Sequence, residues 1–137
     1  MGRFAVRLQI TNRGDEVLAE RGLLKPGQVR KAEIDGIVDS GAASLVLPQA
    51  MVKKLGLPKG QKVKVRYADR RHATRDTAGD VHLELEGRSG LFTAVVEPKR
   101  RTALIGAIVL EALDLLVDCK LQKLVPRDPH FVVSELE

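Results

Sequence analysis

The stretch that decides the fold reads Ile34-Asp-Gly-Ile-Val-Asp-Ser-Gly-Ala-Ala-Ser-Leu-Val-Leu-Pro48, and it sets a carboxylate, Asp39, at the end of an apolar run. A charge beside Ile37 and Val38 loses hydration, which is costly unless hydrogen bonds or a change of protonation compensate for it. Asp39 therefore either caps a turn or is used for chemistry because of its position.

Length and composition predict a single domain that spans residues 1–137. The chain has 44% hydrophobic and 30% charged residues, which is typical of a soluble globular protein with one core. No apolar run approaches the roughly 18 residues of a membrane span. The segment Met1-Gly-Arg-Phe-Ala-Val-Arg7 lacks an apolar signal core. We therefore expect a cytoplasmic protein with no membrane contact.

The formal charge of +5 is compatible with a nucleic-acid partner or an acidic substrate. Its densest patches are Lys62-Val-Lys-Val-Arg66, Arg70-Arg-His72 with Arg75, and Lys99-Arg-Arg101, each beside a predicted turn. Aromatic residues make up only 3% of the chain, too few for a base-stacking platform. We interpret the basic patches as solvated loop tips and edge-strand lysines, and we expect no nucleic acid to bind.

Period-two alternation of apolar side chains predicts a mostly β fold. We expect a turn at Asn12–Asp15, and Asp35-Gly36 is either a tight hairpin turn or a bulge within the third strand. The predicted strands cover residues 4–10, 16–24, 29–39, 63–67, 81–85, 91–96, 115–117, 121–125 and 131–133.

Two short helices complete the prediction. The first begins with Pro48 at its first helical position and stops at Gly56, and the second covers Ala107–Leu113. The sum is a barrel-like or sandwich-like fold.

Several catalytic constellations are absent from the sequence. There is no His-Glu-x-x-His motif, no phosphate-binding glycine loop and no Gly-x-Ser-x-Gly elbow. The histidines His72, His82 and His130 lack metal-ligand spacing, and the single cysteine, Cys119, excludes an intrachain disulfide. We expect no metal and no cofactor.

The segment Val38-Asp-Ser-Gly-Ala-Ala43 resembles the active-site signature of the retropepsin-like aspartic proteases, an apolar pair followed by Asp-Ser/Thr-Gly-Ala. Ser44-Leu-Val-Leu-Pro48 and the helix ending in Leu55-Gly-Leu-Pro58 resemble small bacterial members of this family. Ala103-Leu-Ile-Gly106 is similar to the family's second element, an apolar-apolar-Gly loop beside the catalytic turn. Val109–Asp118 resembles the helix and strand that follow it, so the likeness extends over about residues 29–129.

This resemblance implies a closed β-barrel half of the acid protease fold that works as a homodimer on a peptide or protein substrate. Asp39 would be the catalytic residue, Ser40 would brace the two loops across the interface, and Gly41 would allow the tight turn. The substrate-binding residues that the family pattern implies are Ala42, Tyr67, Ala68, Asp69, Ile105 and Gly106.

The resemblance also assigns residues 63–85 to the flap, the mobile hairpin that covers a bound peptide. Flap tips of the family usually carry glycine just after the Ala-Asp pair, whereas this chain has Arg70. The basic tip indicates a solvated hairpin or a preference for acidic substrates.

A single carboxylate cannot serve as acid and base at once, whereas two of them about 3 Å apart share one proton and divide the roles. The chain carries one such motif, because Asp114 and Asp118 lack a following Ser/Thr-Gly. A homodimer would supply the second Asp39 across a two-fold axis. Phe131-Val-Val133 is either an interface strand or an edge strand of one subunit.

Three functions follow as hypotheses. The first is an aspartic endopeptidase that uses the Asp39 pair, and the second is a dimer of the same fold that binds peptides without appreciable cleavage. The third, nucleic-acid binding by a basic face, predicts an affinity that falls steeply with salt. The intact Asp-Ser-Gly favours the first hypothesis, and the Arg70 flap tip keeps the second open.

Overall fold

Ten strands and three α-helices make up the part of the chain that the computed structural model describes, residues 3–137. Met1 and Gly2, the start of the segment inspected for a signal core, lie outside the described residues. The strands are β1 (Phe4–Asn12), β2 (Lys31–Val38), β3 (Leu45–Pro48), β4 (Val63–Arg66), β5 (His72–Arg75), β6 (Thr77–Leu85), β7 (Arg88–Glu97), β8 (Ala103–Ile105), β9 (Leu115–Asp118) and β10 (Lys123–Pro126). The helices are α1 (Arg13–Glu20), α2 (Gln49–Leu55) and α3 (Ala107–Leu113), with a 3₁₀ turn at Pro26–Gln28.

Six strands close a barrel in the order β1-β2-β8-β3-β7-β6, with β6 pairing back onto β1. The prediction of a mostly β, closed-barrel fold is confirmed. The strand pairs β4–β5 and β9–β10 form two separate two-stranded sheets outside the barrel. No helix within residues 3–137 has the length and apolar character that crossing a membrane requires.

Aliphatic side chains fill the barrel, as the scarcity of aromatic residues requires. Ile10, Leu45, Leu47, Leu83 and Ile105 are fully buried. Each such side chain contributes about 1.5–3 kcal/mol when it leaves water. The strands next to Asp39 are therefore anchored in the most tightly buried part of the molecule.

The predicted strand over residues 16–24 is wrong, because α1 occupies this region. The Asn12 side chain accepts a hydrogen bond from the Asp15 backbone N–H at 3.0 Å, so Asn12 is a helix cap rather than the start of a turn. Asp15 and Glu16 in the first turn stabilise the helix, because their negative charges interact favourably with the positive end of its dipole. The Arg30 guanidinium holds the pKa of Asp15 below its ordinary value. The described part of the chain thus has three α-helices where two were predicted.

Helices α2 and α3 lie where they were predicted. Gly56 ends α2 in the left-handed conformation at φ 60°, as a C-terminal stop should. Pro48 is the N-cap of α2 rather than its first helical residue.

Asp35-Gly36 is neither a turn nor a bulge. Strand β2 runs straight through it, with Asp35 paired to Arg7 and Gly36 paired to Val6 on β1. A Cβ at position 36 would lie 2.7 Å from a methyl carbon of Leu8. The glycine is there because the barrel interior is crowded, not because the backbone turns.

The predicted hairpin over residues 63–85 has a different second arm. Strand β4 pairs with β5, Val63 opposite Arg75, while β6 belongs to the barrel. The chain changes sheets at Asp76, whose carbonyl accepts a hydrogen bond from the Val96 N–H at 2.9 Å. The segment that the resemblance assigns to the flap is therefore a short hairpin of residues 63–75, for which we keep the name flap.

The C-terminal strand predictions need two corrections. Strand β10 begins at Lys123 rather than at Leu121, and no strand forms over residues 131–133. Side chains of other segments form hydrogen bonds with the backbone of residues 131–133 instead. Arg88 donates to the Phe131 carbonyl at 3.0 Å, and Asp114 accepts from the Val133 N–H at 3.0 Å. Within one chain this tail is not the edge strand that was considered. The interface strand, which requires a second chain, stays a prediction.

Candidate active site

Asp39 lies at the end of β2, in a loop of residues 39–44 that we call the Asp39 loop. Its backbone N–H donates to the carbonyl of Ile105 on β8 at 3.1 Å, and its own carbonyl accepts from Ala42 at 3.1 Å. The carboxylate Oδ1 accepts from the Gly41 N–H at 3.0 Å. The side chain is 26% exposed. Backbone contacts thus hold the carboxylate at a partly exposed position.

The turn at Gly106, which leads into α3, packs against the Asp39 loop. Ala107 and Ile108, at the start of α3, donate backbone hydrogen bonds to the carbonyls of Ala42 and Ala43 at 2.8 and 3.0 Å. A Cβ at Gly106 would lie 2.3 Å from the Ser44 carbonyl oxygen. Only glycine permits this approach of two backbones, which explains the apolar-apolar-Gly sequence.

A cleft of about 680 Å³ separates the Asp39 loop from the flap. Asp39 lies on its floor, and the β4 side of the flap forms its roof. Residues of β7 and β8 also line the cleft. Its lining includes Asp39, Val46, Val65, Tyr67, Glu97 and Arg100.

The flap turns through Tyr67–Arg70, where the Arg70 N–H donates to the Tyr67 carbonyl at 2.9 Å. Arg70 takes the left-handed conformation at φ 71°, which glycine adopts without strain and arginine does not. The side chain of Asp69 accepts from the Arg71 N–H at 3.0 Å and steadies the turn. The glycine expected at the family's flap tip thus corresponds to a real conformational requirement.

Glu97, at the end of β7, ties the flap to the barrel. Its Oε2 accepts from the Tyr67 hydroxyl at 2.6 Å, and its Oε1 pairs with Arg75. The hydrogen bond to the Glu97 carboxylate, followed by burial, raises the pKa of Tyr67. Both arms of the flap are therefore held through one carboxylate.

Two arginines face Asp39. The Arg3 guanidinium lies 3.4 Å from Oδ2 of Asp39, and the Arg3 side chain is 57% exposed. Arg100 lines the same cleft, and burial holds the pKa of its partly buried guanidinium below the usual value. The surroundings of the carboxylate are thus basic within one chain.

The structure brings five of the predicted site residues together around the cleft: Asp39, Gly41, Ala42, Tyr67 and Ala68. Ser40 is exposed in the Asp39 loop. Asp69 is exposed at the flap tip and paired with Arg71, with 2.6 Å between Oδ2 and Nε. Ile105 and Gly106 are buried behind the loop and support it from the core side.

Sequence reasoning missed Arg3, Glu97 and Arg100. The sequence shows Arg100 only as the middle of Lys99-Arg-Arg101, which was interpreted as a solvated loop tip. Glu97 lies next to Pro98, where strand β7 ends. Its neighbours in sequence do not predict its contacts with Arg75 and Tyr67, which are 22 and 30 positions away. A polar residue at the end of a buried strand was the available signal.

Comparison with known proteins agrees with this geometry. The model of the aspartyl protease family matches residues 26–109. Among solved structures, the EIAV protease in complex with the inhibitor HBY-793 matches with a TM-score of 0.55 at 16% sequence identity, over 82% of this chain and 88% of that one. A search among curated proteins gives no match. The chain belongs to the aspartyl protease family and has the retropepsin fold.

Proposed function

We propose that this aspartic protease is an endopeptidase in which the Asp39 carboxylates of two identical chains share a proton and activate a water molecule. The observation that carries this proposal is the Asp39 loop itself. Its carboxylate is fixed by backbone hydrogen bonds at the floor of a cleft that a flap covers.

A second carboxylate has to come from another chain. Glu97 is the other acid lining the cleft within residues 3–137, and both of its oxygens are taken by Tyr67 and Arg75. A two-fold axis beside the exposed loop would place a second Asp39 opposite the first. The pair would then titrate as a unit with two separated apparent pKa values.

The reaction proceeds without a covalent intermediate. The ionised carboxylate takes a proton from the water as the oxygen attacks the peptide carbonyl, and the protonated carboxylate gives its proton to the carbonyl oxygen. In the resulting diol the protonated carboxylate gives its proton to the amide nitrogen and the ionised carboxylate takes one hydroxyl proton. The C–N bond then breaks, and the products are a carboxylic acid and an amine. The pair ends with one shared proton, as it began.

Pairing of the two acids requires Arg3 to leave Asp39. The Arg3 side chain is 57% exposed and its nitrogen lies 3.4 Å from Asp39. Exposed ion pairs of this kind contribute about 0–1 kcal/mol, so assembly of the dimer can displace the contact at small cost. In a single chain the Arg3 guanidinium occupies one side of the Asp39 carboxylate.

Substrate binds as an extended strand between the Asp39 loop and the flap. The β4–β5 hairpin pairs with no barrel strand, so its edge is available to the backbone of a peptide. Closure of the flap excludes water from the reacting bond.

The test uses Asp39→Asn, which keeps the size of the side chain and removes its acid–base function. Wild-type protein, shown to be dimeric by analytical ultracentrifugation, should cleave members of a peptide library with a rate per chain that rises with protein concentration. Asp39→Asn should be slower by about 10²- to 10⁴-fold. Asp35→Asn, the matched control on the outer face of β2, should retain activity.

Equal cleavage by wild type and Asp39→Asn would contradict the proposal. So would an absence of cleavage by protein that is demonstrably dimeric at both acidic and neutral pH.

A second candidate is a dimer that holds peptides without cutting them, and the conformation of Arg70 favours it. A left-handed arginine at the flap tip is strained, and a flap that closes poorly would leave the reacting bond in contact with water. Mass spectrometry that recovers a bound peptide intact after long incubation would support this candidate over the endopeptidase.

A further inference from the structure

The cleft carries more positive than negative charge. Its lining includes four basic residues, Arg3, Lys64, Arg66 and Arg100, and two acids, Asp39 and Glu97. The negative charge of Glu97 is balanced by an ion pair with Arg75, which does not line the cleft. The basic side chains are thus in excess where the substrate lies.

Arg100 is the most constrained of these basic residues. Within residues 3–137 its side chain donates one hydrogen bond, from Nε to the Thr102 carbonyl at 2.8 Å, which fixes the plane of the guanidinium. No residue from Arg3 to Glu137 accepts a hydrogen bond from either Nη atom of Arg100. The side chain is partly buried, and burial lowers the pKa of the guanidinium, with nearby Arg3 adding to the effect. A partly desolvated guanidinium with two donors in a fixed plane is suited to a carboxylate.

Apolar surface lies beside this guanidinium. Val46, Val65, Val95 and Leu104 line the same cleft and are each partly buried. They can cover the methylene stem of a side chain whose end reaches Arg100. Glutamate combines such a stem with a carboxylate, and aspartate does so with a shorter stem.

The basic surface continues beyond the cleft. A second groove of about 570 Å³ shares Tyr67, Glu97 and Arg100 with the first, and it also includes Lys99. Its other cations, Arg71 and Arg75, are paired with Asp69 and Glu97. Lys99 and Arg100 are therefore the cations of this groove that remain available to a bound peptide.

We propose that Arg100 is a specificity-determining residue that selects peptides with an acidic side chain, glutamate before aspartate, in the part of the cleft beside Asp39. This inference rests on the proposed endopeptidase function and adds a substrate class to it. Neutral isosteres are disfavoured because they leave a partly buried guanidinium without a partner.

The experiment compares peptide pairs that differ only in Glu against Gln, scanned through every position around the cleaved bond. Wild type should prefer Glu at one position by about 10- to 100-fold in kcat/KM, the range expected for a hydrogen bond to a charged group. Arg100→Gln should reduce this preference to about twofold, and Arg100→Glu should favour Lys at the same position. Arg101→Gln is the matched control, because Arg101 is exposed and adjacent, and it should keep the preference.

A parallel measurement does not depend on cleavage. Asp39→Asn should bind the Glu peptide more tightly than the Gln peptide by fluorescence anisotropy, and the added Arg100→Gln change should abolish the difference. If Arg100→Gln fails to fold, Arg100→Lys keeps the charge without the planar pair of donors and should show an intermediate preference.

Cleavage without a Glu preference at any position would overturn the inference and leave the endopeptidase standing. A change in the pH profile of kcat that is equal for Glu and Gln peptides, with their ratio unchanged, would also overturn it, because Arg100 would then act on the Asp39 pair rather than on substrate. Selective binding of the Glu peptide without any cleavage would contradict the endopeptidase and keep the acidic subsite.

Discussion

The Asp39 loop and the flap face each other across one cleft, but different kinds of contact hold them. The Asp39 loop is held by backbone hydrogen bonds to β8 and α3, with Gly106 pressed against the Ser44 carbonyl. The flap is a separate two-stranded sheet that the Glu97 side chain ties to the barrel. Backbone contacts thus hold the Asp39 loop, whereas the hairpin opposite it depends on side-chain contacts that can break.

The largest effect should come from adding one carbon behind the Asp39 loop. In Gly106→Ala the new Cβ would lie 2.3 Å from a backbone oxygen that cannot move independently. We expect a loss of about 3 kcal/mol in the free energy of unfolding, the upper end for overpacking, and loss of activity. Urea denaturation measures the first and peptide cleavage the second.

The matched control is Gly27→Ala, because nothing lies within 4 Å of a Cβ at that position. It should change stability by less than about 0.5 kcal/mol, as surface substitutions do. A Gly106→Ala protein as stable as wild type would show that the two loops can separate, and the contrast with the flap would then disappear.

An intermediate effect is expected from Glu97→Gln, which removes the charge that holds both flap arms. Local opening of residues 63–75 should become easier by about 1.4 kcal/mol, which corresponds to roughly tenfold faster amide exchange there. Exchange in β1 and β2 should be unchanged. Uniform acceleration over the whole chain would instead mean that Glu97 stabilises the barrel rather than the flap.

The same substitution should shift the titration of Tyr67, the single tyrosine of the chain. The Glu97 carboxylate raises the pKa of Tyr67, so the contact stabilises the fold below the ordinary tyrosine pKa and is lost as pH rises through the folded value. In Glu97→Gln the phenolate absorbance should appear at lower pH than in wild type. Glu111→Gln, on the exposed face of α3, should leave the titration unchanged.

The smallest expected effect is an increase in stability. Arg70→Gly relieves the left-handed arginine at φ 71°, and we expect stabilisation of up to about 1 kcal/mol, reduced by the greater freedom of glycine in the unfolded chain. The midpoint temperature of thermal unfolding measures this stabilisation. Asp69→Gly, one residue earlier and without a positive φ, should destabilise the turn. Destabilisation by Arg70→Gly would mean that the Arg70 side chain makes contacts that offset the strain.

Local patterns were reliable where residues close in sequence make the structure. Gly56 ends α2, alternation marked β1 and β7, and Asp39-Ser-Gly indicated a turn that the structure contains. They failed over residues 16–24, where a helix forms instead of a strand. Asn12 was interpreted as part of a turn, although its side chain caps α1 by accepting from the Asp15 N–H. A cap and a turn use the same residue types, and contacts of the following segment decide between them.

The sequence by itself determined the barrel and the position of Asp39 in a turn after an apolar strand, because alternation and a short motif express local geometry. Only the tertiary structure decided that Gly36 relieves crowding, that the flap ends at residue 75, and that Glu97 and Arg100 belong to the cleft. These features depend on atoms that are far apart along the chain and meet only when the barrel closes. No local pattern encodes such a meeting, since its energy comes from packing and charge pairing between distant elements.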